Sequence, residues 1–166
     1  MVQLEGERLE GALPGRQGRL LLAYLALNRG RPVRRDELLD ALWPDGGGSA
    51  SADSLLRPPL SRLRKALGPD RIEGRGELTL ALPADAWVDW EVAHESLAAA
   101  RTAAAAEDHR AALDAAQEAV AIADRGLLPG LEAAWIDERR RELEELRVEA
   151  LEAMATAGVA LGGAGV

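Results

Sequence analysis

The sequence predicts a mostly helical chain in two parts: an α+β part over residues 1–86 and an all-α part over residues 87–166. Three observations lead there. Short runs with period-two alternation fall at residues 2–13 and 71–83, and helical patterns lie between them. From Ala93 onward the composition shifts to Ala, Glu and Arg, good helix formers, and β-branched residues thin out. The charge divides the same way. Residues 1–90 carry 13 Lys+Arg against 13 Asp+Glu, a balance of zero, whereas residues 91–166 carry 7 against 15, a balance of −8.

Taken in order, "VQLEGERLEGAL" alternates weakly around a glycine and predicts a short hairpin. "PGRQGRLLLAYLALNRG" predicts a first helix, apolar almost all round from Leu20 to Leu27 and so the most buried of its domain. Asn28 and Gly30 suit a left-handed cap at its end. A second helix follows in "RRDELLDALWP". Asp36 and Glu37 sit in its first turn, where the helix dipole favours negative charge, and Leu38, Leu39, Leu42 and Trp43 supply its apolar face. Pro44 stops it, and Gly46, Gly47 and Gly48 form a loop. That loop lacks the following Lys-Ser/Thr of a phosphate cradle.

The third helix is the most informative segment. On a wheel of about 100° per residue, Leu56, Leu60, Leu63 and Leu67 fall within about 60° of one another and form a core stripe. Pro58, Ser61, Arg62 and Lys65 face the other way, and Arg57 and Arg64 flank one edge. Ser54–Arg75 holds 6 positive and 2 negative residues, a local excess of +4. Proline is tolerated in a first helical turn and disfavours helix in the residue before it. A regular helix is therefore predicted from about Pro58 to Leu67, with Ser51–Arg57 as a separate turn or a bent lead-in. "RIEGRGELTLALP" then reads as a hairpin, with Gly74 and Gly76 in its turn and Leu78, Leu80 and Leu82 alternating along the last strand.

Helix, helix, glycine loop, basic helix and hairpin are the parts of a winged helix-turn-helix, in order. In that arrangement the third helix enters the major groove and the wing lies along the backbone. Arg71 and Arg75 then fall on the wing, and Arg34 and Arg35 start the second helix, all places for phosphate contacts. Beyond residue 90, three helices are predicted at about 91–106, 108–124 and 132–160, an arrangement close to tetratricopeptide repeats without the clean 34-residue signature. Trp43, Trp87, Trp90 and Trp135 read as core and domain-junction fillers, and "DERRRELEE" as a solvated face with Asp137 and Arg141 at i,i+4 spacing.

Other classes find little support. The 166 residues suffice for one medium domain or two small ones, and the absence of cysteine excludes disulfides and thiolate metal sites. Leu20–Leu27 is the longest strongly apolar run and is too short for a bilayer, so a cytoplasmic, membrane-free protein is expected. His94 and His109 lie 15 residues apart on polar, Ala-rich helices, and the carboxylates follow helix-surface patterns. Neither an enzyme nor a cofactor is expected. The charge balance leaves a rival open: a winged helix turned to protein interaction or ligand sensing without specific DNA binding.

Several consecutive segments carry a resemblance. "LPGRQGRLLLAYLALNRGRPVRRDELLDALWP", "SRLRKALGPDRI", "LPADAWVDWE" and "GLLPGLEAAWIDERRRELEELRVEALEA" occur in the order found in the SARP-type (antibiotic regulatory protein) transcriptional activators of actinobacteria. The chain resembles that family from about Leu13 to Leu161. The resemblance implies an OmpR-like winged helix over 1–86 and a bacterial transcriptional activation domain, present in truncated form, over 87–166. It also implies binding to double-stranded promoter DNA, often at paired direct repeats, and recruitment of RNA polymerase, with a homodimer on DNA left open. Carried over by position, Ser61, Arg62, Arg64 and Lys65 face the DNA, and Arg16, Gln17 and Arg19 lie near the start of the first helix; Arg57, at the edge of the same wheel, is a further DNA-binding candidate. Two departures stand out: Pro59 occupies a helical position, and "GEL" replaces the family's common Gly-Tyr in the wing.

Overall fold

The structure is a computed structural model. It describes residues 2–4, 7–8, 13, 15–46, 52–83 and 85–163. The chain divides into two compact units, Met1–Val88 and Asp89–Val166.

In the first unit, β1 (Val2–Leu4) and β2 (Glu7–Arg8) form the short antiparallel hairpin anticipated at the start. A strand that no sequence pattern announced, β6 (Trp87–Val88), pairs on the other edge of β1, with Val2 opposite Val88. Helix α1 (Arg16–Leu27) buries Leu20, Leu21, Leu22, Leu25 and Ala26. Its end is not left-handed: Asn28 has φ −118°, and its side-chain amide donates to the Tyr24 carbonyl at 2.8 Å. A polar side chain thus supplies the cap that a glycine-type turn would otherwise give. After β3 (Val33–Arg34) comes α2 (Arg35–Leu42), with Asp36 and Glu37 in its first turn. Gly47 and Gly48 of the glycine loop lie outside the described residues.

Helix α3 corrects the sequence reading. It runs unbroken from Ala52 to Leu67, with Pro58 and Pro59 inside it. Neither proline can donate an i→i−4 bond, yet the element continues because its inner side is anchored along its length. Leu56, Leu60, Leu63 and Leu67 are 0–6% exposed, and Pro59 is buried with them. A 3-10 turn (Pro69–Arg71) leads into β4 (Ile72–Glu73) and β5 (Glu77–Leu80), the wing hairpin. Leu78 and Leu80 point into the core, whereas Leu82 lies past the strand and is only half-buried. Strand order β3-β5-β4 ties the wing to the entrance of α2.

The second unit holds α4 (Asp89–Ala105), α5 (His109–Ala123) and α6 (Ala134–Gly163), within a few residues of the predicted spans. Small residues line the contacts: Ala93, Ala100, Ala112, Ala116, Ala119 and Ala150 are buried, which lets the helices approach closely. Asp108 caps α5 by accepting from the Ala111 amide at 3.0 Å. The connection from α5 to α6 contains Leu128 at φ 49°. Arg140 holds it by donating to the carbonyls of Leu127, Leu128 and Leu131 at 3.1, 3.0 and 2.9 Å. The "DERRRELEE" segment is therefore not merely solvated. Arg140 braces a loop, and Asp137 pairs with it at 3.1 Å rather than with Arg141.

The tryptophans also differ from expectation: all four are half-buried, none a full core residue. The Trp90 ring meets the His94 ring at 4.9 Å, tilted by 58°, and the Arg139 guanidinium lies over it, 5.4 Å from its centroid. Loss of water around His94 lowers its pKa, helped by the nearby Arg139 and Arg101 and opposed by Glu142. No helix among the described residues is long and apolar enough to cross a membrane.

Candidate nucleic-acid interface

Burial of the leucine stripe dictates what α3 presents on its other side. Ser54, Arg57, Pro58, Ser61, Arg62 and Lys65 are all exposed. They recur at the three- and four-residue steps of one helical face. Arg64 is half-exposed at its edge. Ser54 lies upstream of the helix start that the prolines predict at Pro58, so the sequence reading does not mark it. Extending the same period upstream through the prolines would have found it.

Among the described residues, the cations on this face stand without acidic partners. Among the described residues, no ion pair or side-chain hydrogen bond engages Arg57, Arg62, Arg64 or Lys65. The second unit behaves in the opposite way. Six of its seven arginines form ion pairs: Arg101 with Glu149, Arg110 with Asp114, Arg125 with Asp89, Arg139 with Glu142, Arg140 with Asp137, and Arg147 with Asp124 and Glu144. Leaving several positive charges together without partners raises the local potential, which favours an anionic ligand.

The wing stands on a backbone constraint. Gly74 has φ 90°, and a Cβ there would lie 2.0 Å from the Glu77 carbonyl oxygen. Only glycine fits that turn. Arg75, exposed beside it, offers a guanidinium that has no partner among the described residues. Arg35 is half-buried and donates through Nε to the Arg75 carbonyl, while its amide donates to the Gly76 carbonyl at 3.3 Å. It braces the wing. Arg34 is exposed but shared with Asp36, whose pKa is lowered first by the Glu37 amide and then by Arg34. Arg71 is half-buried in the 3-10 turn before the wing rather than on the hairpin. On α1, Arg16 and Arg19 are exposed and Gln17 is half-buried.

Behind α2 sits a polar hub that the sequence did not reveal. The Tyr24 hydroxyl donates to Glu37 Oε1 at 2.8 Å, and Arg31 forks onto both carboxylate oxygens, with one contact at 3.0 Å. The hydrogen bond from Arg31 leads in holding Glu37 below the usual carboxylate range. Burial, followed by the bond to Glu37, raises the Tyr24 pKa. The hub links the end of α1 to the first turn of α2.

Comparison with known proteins follows this division. Residues 12–77 match the family of transcriptional regulatory protein C-terminal domains, and residues 88–166 match the bacterial transcriptional activator domain. The chain belongs to the SARP-type family of bacterial transcriptional activators. Within the family it is 35% identical over 150 residues to the regulatory protein AfsR of Streptomyces coelicolor, covering 89% of this chain and 15% of that protein. AfsR of Streptomyces griseus is 31% identical over 136 residues, covering 82% of this chain and 14% of its own. The transcriptional regulatory protein EmbR of Mycobacterium tuberculosis is 44% identical over 68 residues, 39% of this chain and 16% of that one. A solved structure of M. tuberculosis EmbR, in complex with a low-affinity phosphopeptide, superposes with a TM-score of 0.78 at 28% identity. That superposition covers 89% of this chain and 41% of EmbR. The chain thus spans about a seventh of the length of the two AfsR proteins.

Proposed function

We propose that this chain is a DNA-binding transcriptional activator whose α3 docks in the major groove of duplex promoter DNA. The observation that carries the reading is the exposed row of Arg57, Arg62 and Lys65, without acidic partners among the described residues, on a helix anchored by four buried leucines. Arg and Lys neutralise phosphates, and Arg also grips a guanine edge with two hydrogen bonds. Ser61, between them, reaches base or phosphate, and Arg64 supports from the edge. Arg75 at the wing contacts the backbone, with Arg71 behind it. Arg16, Gln17 and Arg19 supply further contacts at the start of α1. Arg34 and Arg35 act mainly through the wing and the α2 entrance, since both already have partners within the chain.

Recruitment of RNA polymerase, through the winged helix and the helical unit, completes the role. It belongs in the cytoplasm with the DNA, and paired direct repeats would take two copies. The boundary between DNA-binding and activation parts falls near residues 86–88.

Counterion release tests the reading. Four phosphates neutralised by Arg57, Arg62, Lys65 and Arg75 give a log–log salt slope of about −3.6, a loss of roughly 150-fold in affinity between 50 and 200 mM salt. Replacing Arg62 and Lys65 by Ala lowers the slope by about 1.8. Salt-insensitive binding, or an unchanged slope in the double variant, rejects α3 as the DNA-facing element and favours the protein-interaction alternative.

A further inference from the structure

Pro58 lies on the exposed face of α3, and nothing in the packing of the described residues explains it. Pro59 is buried against the leucine stripe, whereas Pro58 is exposed. It withholds a helix hydrogen bond and gains no burial in return. A residue that breaks a local rule without a structural gain points to function. On the helical wheel the face from Arg57 to Arg62 spans about 140°, and Pro58 falls inside that arc, between Ser61 and Arg62.

The chemistry of the ring is restrictive. Proline has no amide hydrogen, and its side chain is three rigid methylene groups with no donor or acceptor. A base edge pressed against it can receive only an apolar contact. Guanine, cytosine and adenine present polar atoms at the major-groove edge, and these would lose water without replacement. Thymine presents its C5-methyl group. The ring is already rigid, so the contact freezes no rotamers.

We propose that Pro58 is a specificity-determining residue that reads a thymine 5-methyl group in the major groove, flanked by base or phosphate contacts of Arg57 and Arg62. The proposal rests on the DNA-binding reading above. The preferred duplex therefore carries a T·A pair at a fixed position beneath the centre of α3, and 5-methylcytosine at that position substitutes for thymine in part.

The test starts with selection of preferred duplexes from a randomised library by the whole chain. Each thymine of the selected site is then replaced by deoxyuridine, which lacks only the methyl group. Burial of one such group corresponds to about a fourfold change in affinity. The expected result is one thymine per site whose replacement weakens binding by about that factor, in the wild-type chain and not in Pro58→Ser. Converting a C·G pair at that position to 5-methylcytosine·G restores a similar factor, again only in the wild type. Pro58→Ser removes the helix-breaking ring from an exposed site, so it folds, and circular dichroism verifies its helix content. If no thymine is sensitive to loss of its methyl, or if the sensitivity persists in Pro58→Ser, the assignment of Pro58 is overturned while DNA binding stands. If the library yields no enriched duplex, the DNA-binding reading itself falls, and Pro58 with it.

Discussion

Replacing Pro58 by Ala should stabilise the first unit, a rare direction for a single substitution. A proline in a helix interior costs about 3 kcal/mol relative to alanine, of which the missing backbone hydrogen bond accounts for about 1 kcal/mol. The Pro58 ring is exposed, so its removal forfeits almost no buried area. Pro59 remains in place and still disfavours helical geometry at position 58, which withholds part of the gain. The net expectation is about 2 kcal/mol of added stability. Pro59→Ala restores a hydrogen bond in the same way, but it empties the space of two buried ring carbons, worth about 1.6 kcal/mol. The order Pro58→Ala above Pro59→Ala above or near wild type is thus fixed by burial alone. Urea denaturation followed through the fluorescence of Trp43 and Trp87, with Trp90 and Trp135 replaced to silence the second unit, measures it. A loss of stability in Pro58→Ala would refute the argument, because the exposed ring would then have to be holding something in place.

Three further outcomes follow from the geometry. Gly74→Ala forces a Cβ to within 2.0 Å of the Glu77 carbonyl oxygen and should weaken the wing by about 2 kcal/mol, read as faster amide exchange along Ile72–Leu80. Glu37→Gln removes the carboxylate charge onto which Arg31 forks and turns one of its two acceptor oxygens into a donor; it should cost about 1 kcal/mol at neutral pH, a modest figure because Arg31 is half exposed. The folded-state pKa of Glu37 lies below its unfolded value, so its contribution is complete above the ordinary carboxylate range and fades as pH falls through the lowered value. Wild type and variant should accordingly converge in acid. Arg140→Ala strips three carbonyls of their donor and should cost the second unit about 2–3 kcal/mol by urea denaturation; Arg140→Lys, able to satisfy fewer of them, should fall between.

Periodicity made most of the fold legible. The spacing of Leu56, Leu60, Leu63 and Leu67 identified both the buried and the exposed side of α3, and the Ala-rich composition after Ala93 located three helices. The start of α3 is not legible because proline's preference is local, while the burial that overrides it comes from α1 and α2. Strand β6 is illegible for a different reason: two residues show no period, and their partner β1 lies more than 80 positions away in the sequence, Val2 opposite Val88. Side chains that bond to distant backbone were equally invisible. Arg35 reaches the Arg75 carbonyl across 40 positions, and nothing in "PVRRDE" distinguishes that brace from a free phosphate-binding cation. Arg140 looked like one more charge on a helix surface until the loop it holds was in place.

The exposed face of α3 is the centre of the account, and the absence of native cysteine allows it to be probed alone. Ser61→Cys places one thiol in the middle of that face, and Gln117→Cys places one on the exposed side of α5. Alkylation of each variant by iodoacetamide, with and without saturating duplex DNA, compares the two surfaces. Burial of α3 in the groove predicts that duplex slows modification at position 61 at least about tenfold and leaves position 117 unchanged. Equal rates at position 61 with and without bound duplex would mean that DNA lies elsewhere on the molecule.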